Sequence, residues 1–181
     1  MGDLIVKAAT GIGNALKLQD QAGQLCFSTI DDGGVITDKV HFPAGHIIQV
    51  QSTQTSAYAA TGSSYIEAFT DLSLTTRGAN KILITVNING VVMFDAAAYI
   101  RFNLTDGSSS IQELTGHFAK ATGSSDDPYA SFGAQYLTGV LSTNTTYTYN
   151  VEYKNNQGSQ SARLSGASQS LRTLTLMEIQ Q

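Results

Sequence analysis

Cysteine is almost missing from this 181-residue chain, and the single copy, Cys26, has no partner for an intrachain disulfide. Stability must then come from packing and association, with Cys26 itself read as a small buried hydrophobe. Charge is scarce too. Only 13% of residues are Asp, Glu, Lys or Arg, the formal net charge is −4, and the cations do not cluster. Binding to a phosphate backbone needs many cations to release counterions, so nucleic acid is not an expected partner. No stretch approaches the roughly 18 apolar residues of a membrane span, so no membrane is expected either. The opening Met1-Gly-Asp-Leu-Ile-Val-Lys7 lacks the basic start and apolar run of a secretory signal. The expectation is a protein made without Sec-type export whose surface nevertheless suits work outside a cell, as release by lysis inside a virus particle would allow.

What is present is a strand pattern. Apolar residues make up 41% of the chain, enough for one real core, and surface polarity falls to Ser, Thr, Asn and Gln. Ile82, Ile84, Val86 and Ile88 alternate with Lys81, Thr85, Asn87 and Asn89, interrupted only by Leu83. Ala98, Ile100, Phe102 and Leu104 repeat the arrangement, as do Tyr147, Tyr149, Val151 and Tyr153. Ala130, Phe132, Ala134, Tyr136 and Val140 form a looser version. With residues 65–74 and the closing run 172–179 this gives seven or eight strands, and no helix-period segment of ten or more residues competes. The fold class is all-β, a jelly-roll-like β-sandwich over residues 45–181.

Residues 1–44 differ: short apolar groups separated by Asp20-Gln-Ala-Gly23 and Asp31-Asp-Gly-Gly34, whose glycines suit hairpin turns. Isolated hairpins are marginal in water, so this segment is expected to be an extended or hairpin arm that docks on something. Its apolar residues Leu16, Leu18, Leu25, Phe27, Val35 and Ile36 are the candidate anchoring contacts. His41-Phe-Pro-Ala-Gly-His46 reads as the linker, with Pro43 fixing φ and Gly45 permitting a sharp change of direction.

Two stretches break the one-sided rule. After Gly90, Val91, Val92, Met93 and Phe94 place apolar groups on both faces, and in the last strand Leu174 and Leu176 oppose Met177 and Ile179. A sandwich strand has one face for its own core, so the second face needs a cover. A neighbouring copy makes these eight residues candidate oligomer contacts; cover by the 1–44 arm is the alternative.

Catalytic and metal constellations are thin. His41, His46 and His117 make a three-histidine metal site conceivable, but no carboxylate or thiolate stands at ligand spacing, so they read as turn or surface residues. Gly11-Ile-Gly13 is followed by Leu16 and no βαβ pattern surrounds it, which leaves turn glycines and not a dinucleotide site. Asp31-Asp32 and Asp126-Asp127 offer clustered oxygens for Ca²⁺, against a plain role in satisfying turn N–H groups. Asp71, Asp95, Asp106, Glu113 and Glu152 are carboxylates of the kind a glycosidase pairs, with no motif to select two of them. Tyr58 and Tyr129, in the loops 57–64 and 123–129, are candidates for stacking on sugar rings, or else for anchoring those loops. No cofactor is expected, and no enzyme.

Phe42-Pro-Ala-Gly-His-Ile-Ile-Gln-Val50, then Tyr65-Ile-Glu-Ala-Phe69, Leu72-Ser-Leu74, Asn80-Lys-Ile-Leu-Ile84 and finally Leu174-Thr-Leu-Met-Glu-Ile179 resemble a module of tailed-bacteriophage virion proteins, especially those of cyanophages. The segment Gly13-Asn-Ala-Leu-Lys-Leu-Gln-Asp20 is similar to what precedes that module, so the resemblance covers about residues 11–180. It implies a trimeric jelly-roll-like domain on the outer surface of the particle, of the kind found in tail fibres, head fibres and capsid decoration proteins. It brings no enzymatic residues. The expected function is a homotrimeric capsid decoration or cement protein attached through residues 1–44 to phage capsid or tail proteins. The alternative is a receptor-binding tail or head fibre protein that recognises a host cell-surface glycan; a polysaccharide hydrolase is third.

Overall fold

The computed structural model describes residues 17–19, 21–22, 25–30, 33–36, 43–56, 59–60, 63–93, 100–114, 129–155, 162–164 and 171–181. The chain divides into two compact units, Met1–Pro43 and Ala44–Gln181. No helix occurs among the described residues.

The first unit is a three-stranded antiparallel sheet in the order β1 (Lys17–Gln19), β2 (Leu25–Ile30), β3 (Gly33–Ile36). Leu18 pairs with Phe27, and Phe27 with Ile36, so three of the six anchoring candidates share one row of the ladder. Leu18 is exposed. Leu25 and Val35 lie in β2 and β3, and Leu16 falls outside the described residues. Gly33 and Gly34 do not form the turn expected of them; they continue the ladder opposite Ile30 and Thr29.

The second unit is a β-sandwich of antiparallel strands: β4 (Ile47–Thr55), β5 (Ala59–Ala60), β6 (Ile66–Glu67), β7 (Leu72–Thr75), β8 (Lys81–Met93), β9 (Ile100–Thr105), β10 (Ser110–Glu113), β11 (Tyr129–Leu137), β12 (Thr146–Asn155), β13 (Ala162–Leu164) and β14 (Arg172–Ile179). One sheet runs β4, β14, β8, β11, with β13 and β5 continuing the β14 and β4 lines alongside the far end of β8. The other runs β10, β9, β12, and then β6 and β7, which share the last edge of β12.

Alternation decides which side chains meet between the sheets. Ile82, Ile84, Val86 and Ile88 of β8 and Leu174 and Leu176 of β14 pack in one core with Ile100, Phe102 and Leu104 of β9 and Tyr149, Val151 and Tyr153 of β12. Phe102 stacks on Phe132 of β11 with ring centroids 4.7 Å apart, joining the two sheets. Ala98, expected to start β9, falls outside the described residues. Val140, read as part of the β11 pattern, lies beyond that strand and is exposed.

The inward placement of Val91 after Gly90 has a local cause. The β8–β11 register slips between Ala130 and Ser131: Ser131 pairs with Asn89 and Ala130 with Val91, so Gly90 is an extra residue, and its φ is +78°. Such a bulge shifts the alternation by one position. Val91 thereby joins the same core as Ile88 and is fully buried, and Val92 is also sealed within the chain. Leu174 and Leu176 are fully buried as well. These four side chains have no surface left to offer another copy, which corrects their assignment as oligomer contacts. Met177 and Ile179 do face the other way and stay half-buried. Nothing is described of the Met93 side chain, and Phe94 lies outside the described residues.

Both ends of this unit meet at one corner. Gly45, at φ +87°, makes the bend expected from the sequence, and its N–H donates to the Gln180 carbonyl at 2.8 Å. The Gln180 N–H returns to the His46 carbonyl at 2.9 Å.

Candidate functional site

The outward face of the β4–β14–β8–β11 sheet is built from the residues that alternate with the core. Register places Val50, Met177, Leu83 and Leu137 in one row across all four strands. The neighbouring row toward the end of the sheet holds Ile47, Ile179 and Lys81. Exposure is 52% at Ile47, 51% at Val50 and 50% at Leu137, while Leu83, Met177 and Ile179 are half-buried. Each half-exposed Ile, Val or Leu leaves about 1 kcal/mol of burial unrealised.

Beyond that apolar end the same face turns polar. The next row is Ser52, Thr175, Thr85 and Gln135, and the one after it Gln54, Thr173, Asn87 and Gly133. The Ser52 and Thr175 hydroxyls lie 3.0 Å apart and hydrogen-bond across β4 and β14. The Thr85 hydroxyl is buried with no hydrogen-bond partner. So the face divides into an aliphatic end and a band of hydroxyls and amides.

The outward face of the other sheet is polar and internally paired. Hydroxyls meet at 2.7 Å between Ser73 and Thr148 and at 2.8 Å between Thr75 and Thr146. Asn150 donates to Asp71 at 3.0 Å, Ser110 to Asn103 at 2.7 Å, and Arg101 reaches Glu113 at 3.7 Å. The Lys154 ammonium stands 4.2 Å from the centre of the Tyr65 ring, and Glu67 pairs across from Glu152.

Of the carboxylates considered for chemistry, Asp71, Asp106 and Glu113 are committed to local bonds. Asp106 accepts from the Ser109 N–H at 2.8 Å and from the Ser108 N–H and hydroxyl, each at 3.2 Å, and these donors hold its pKa below the usual carboxylate value. An acid so held stays ionised and makes a poor proton donor. Asp95 lies outside the described residues, as do Asp31, Asp32, Asp126 and Asp127. So do His41 and His117, while His46 is exposed. Among the described residues no group of three or more His, Cys, Asp or Glu is placed to hold a metal ion.

Of the two glycan candidates, Tyr58 is outside the described residues and Tyr129 opens β11. Tyr129 pairs with Val92, Val92 with Arg163 and Arg163 with Ala60, so Tyr129 and the strand that follows Tyr58 occupy one row at the far end of the sheet.

Sequence reasoning missed two buried charged residues, Arg172 and Glu178, which alternate with Leu174 and Leu176 and so point inward at the two ends of β14. Burial lowers the Arg172 pKa, and nearby Tyr153 counteracts that. Glu178 accepts from Gln49 Nε2 at 2.6 Å, Arg77 N at 2.8 Å and Asn80 Nδ2 at 2.7 Å, tying β4 and the β7–β8 connection to β14. The signal was available in the Arg-Thr-Leu-Thr-Leu-Met-Glu alternation, which puts both charges in phase with the core leucines.

Tyr149 gives the core a pH signature. Burial, with the negative charge that ionised Tyr147, Tyr136 and Asp106 would add, pushes its phenol up to about 12 from the ordinary value of 10.0. The fold favours the neutral form, so this contribution to stability is complete below pH 10 and is lost as the pH climbs toward about 12. Urea unfolding across that window is expected to show stability falling, and Tyr149→Phe is expected to make the fall shallower. An identical slope in the mutant would contradict the assignment.

No family model matches the chain, and no curated protein matches it. Among solved structures, latent dimeric PorU from Porphyromonas gingivalis is 8% identical with a TM-score of 0.40, over 76% of this chain and 13% of that one. A D431N mutant of the VP2 protein of infectious bursal disease virus, in derived T=1 particles, is 14% identical with a TM-score of 0.31, over 92% of this chain and 47% of that one. The chain therefore spans about one eighth of the first and under half of the second.

Proposed function

We propose that this protein is a structural component of a tailed-phage virion, a trimeric decoration or cement protein that sits on the outer surface of the particle and attaches through residues 1–44. The observation that carries the reading is the aliphatic row Val50–Met177–Leu83–Leu137, bordered by Ile47 and Ile179, on a sheet face whose other end is lined by hydroxyls and amides. Such a face serves assembly and contact, and no chemistry is assigned to it.

The strand order supports a jelly roll. Successive strands alternate between the sheets: β4 and β5 in the first, β6 and β7 in the second, β8 back in the first, β9 and β10 in the second, then β11, β12 and finally β13 and β14. Two interleaved Greek keys produce this alternation. The resemblance of residues 11–180 to phage virion modules supplies the setting.

A second reading, a fibre protein that recognises a host glycan, is favoured by one feature: Tyr129 and the Ala59–Ala60 strand beside Tyr58 share an end of the sheet. Exposing purified protein to stripped capsids and to intact host cells separates the two. Rebinding to capsids, lost on deletion of residues 1–40 while the far-UV β signal persists, is the expected result. Adsorption to cells without capsid rebinding would replace decoration by the fibre reading.

A further inference from the structure

We infer that a second copy of this chain docks on the aliphatic end of the β4–β14–β8–β11 face, centred on Val50, Leu83, Leu137 and Met177 and bordered by Ile47 and Ile179. The inference rests on the assembly reading above and names its contact surface. In the second unit the large apolar side chains exposed among the described residues are Ile47, Val50, Ile66, Leu137, Val140 and Leu171. Three of these six, Ile47, Val50 and Leu137, fall on this one end of one face, so the patch is contiguous and not a scatter of single residues.

Its size and shape fit another protein surface. Four strands about 4.8 Å apart and about five residues rising 3.3 Å each give this end of the face roughly 300 Å² in projection. Side-chain relief enlarges the accessible area beyond that, which places the contact at the small end of protein interfaces, below the roughly 800 Å² that a standard one takes from each partner. An interface of this class has an apolar centre and a polar rim. The two aliphatic rows supply the first, and Ser52, Thr175 and Gln135 the second. The rows lie on a continuous sheet, and small molecules favour concave sites. Lys81 is the one cation in these rows, too few for attraction to an anionic lipid surface. Several polar groups of the opposite sheet are already bonded to one another, which leaves this face as the better self-contact.

Sedimentation equilibrium of the full chain at micromolar concentration tests this, with three times 19.2 kDa expected for the unmodified protein. Leu137→Asp and Val50→Asp, each on an edge strand, are expected to sediment as monomers with unchanged far-UV β signal, their association weakened about a hundredfold or more. The milder Leu137→Ser should weaken it about tenfold, and Gln54→Asp, on the polar end of the same face, should leave the mass unaltered. Peroxide oxidation at Met177, followed by mass spectrometry, should be at least about tenfold slower in the assembled protein than in the Leu137→Asp monomer. An unmodified chain that assembles while all the variants assemble equally well would overturn this surface and leave the assembly reading standing. A monomeric unmodified chain would overturn both. If Met177 in that monomer still resisted peroxide, a different cover would be identified, residues 1–43 of the same chain included.

Discussion

Leu176→Ala is expected to lower the unfolding free energy by about 3 kcal/mol, read as a fall in the urea midpoint with the slope unchanged. Leu176 is fully buried in the centre of β14, paired with Ile84 of β8 on one side and Gln51 of β4 on the other. Truncation loses the transfer energy of the removed methyl groups. It also leaves a cavity between sheets that the Phe102–Phe132 stack holds at a fixed separation. The folded fraction should associate as before, because this side chain never reaches the surface. The contrast with its neighbour is informative: Met177, one residue on, faces outward, and Met177→Asp is expected to act on association. A Leu176→Ala variant that kept its midpoint but lost its oligomer would reverse the two roles.

Glu178→Ala is expected to cost a similar amount, about 3 kcal/mol, by a different route. The carboxyl group is inaccessible to solvent and collects three donors from two separate segments: Gln49 in β4, and Arg77 and Asn80 in the β7–β8 connection. Gln49 keeps a bond to the Thr75 carbonyl at 2.6 Å without Glu178. The Asn80 amide is buried, and its Nδ2 would lose this acceptor. A buried donor with no acceptor carries the full desolvation penalty, which is why the loss exceeds that of an ordinary exposed bond. Glu178→Gln separates shape from acceptor number. Its carbonyl can still accept from Arg77 and Asn80, but its NH₂ would face the Gln49 amide, so a loss of about 1 kcal/mol is expected. Equal midpoints for Glu178→Ala and the unmodified protein would show that the three bonds contribute nothing net.

Much of the sandwich could be read from the residues because alternation is a local property. Ile82 to Ile88 and Tyr147 to Tyr153 carry their inward and outward assignments in their own spacing, and the structure places them accordingly. Alternation fails where one residue is inserted. The extra residue at Gly90 changes the phase opposite β11 and turns Val91 into the core, while Val92, one position on, is buried outside that core cluster. Gly33 and Gly34 misled in the other direction: glycine permits a turn but does not require one, and here the backbone pairs straight through both.

Register between strands distant along the chain is the part that local spacing does not reveal. Val50, Leu83, Leu137 and Met177 are separated by between 33 and 54 positions, counted along the chain from one to the next, and none stands out on its own strand. Leu83 registered only as an exception to a polar face. Hydrogen-bond pairing across four strands brings them into one row, so Met177 and Ile179 were recognised as outward while most of their neighbours were not.

The corner where Gly45 meets Gln180 also sets how the sandwich bears force. Tension applied between residues 44 and 181 would open the β4–β14 ladder like a zip, because those strands are antiparallel and both loaded ends sit at the same extremity. Each bridge would then break singly, beginning with the Gly45 and Gln180 pair, and a pulling experiment would meet low resistance. A molecule held through residues 1–43 alone transmits nothing along that path, and its last strand stays clear of mechanical strain.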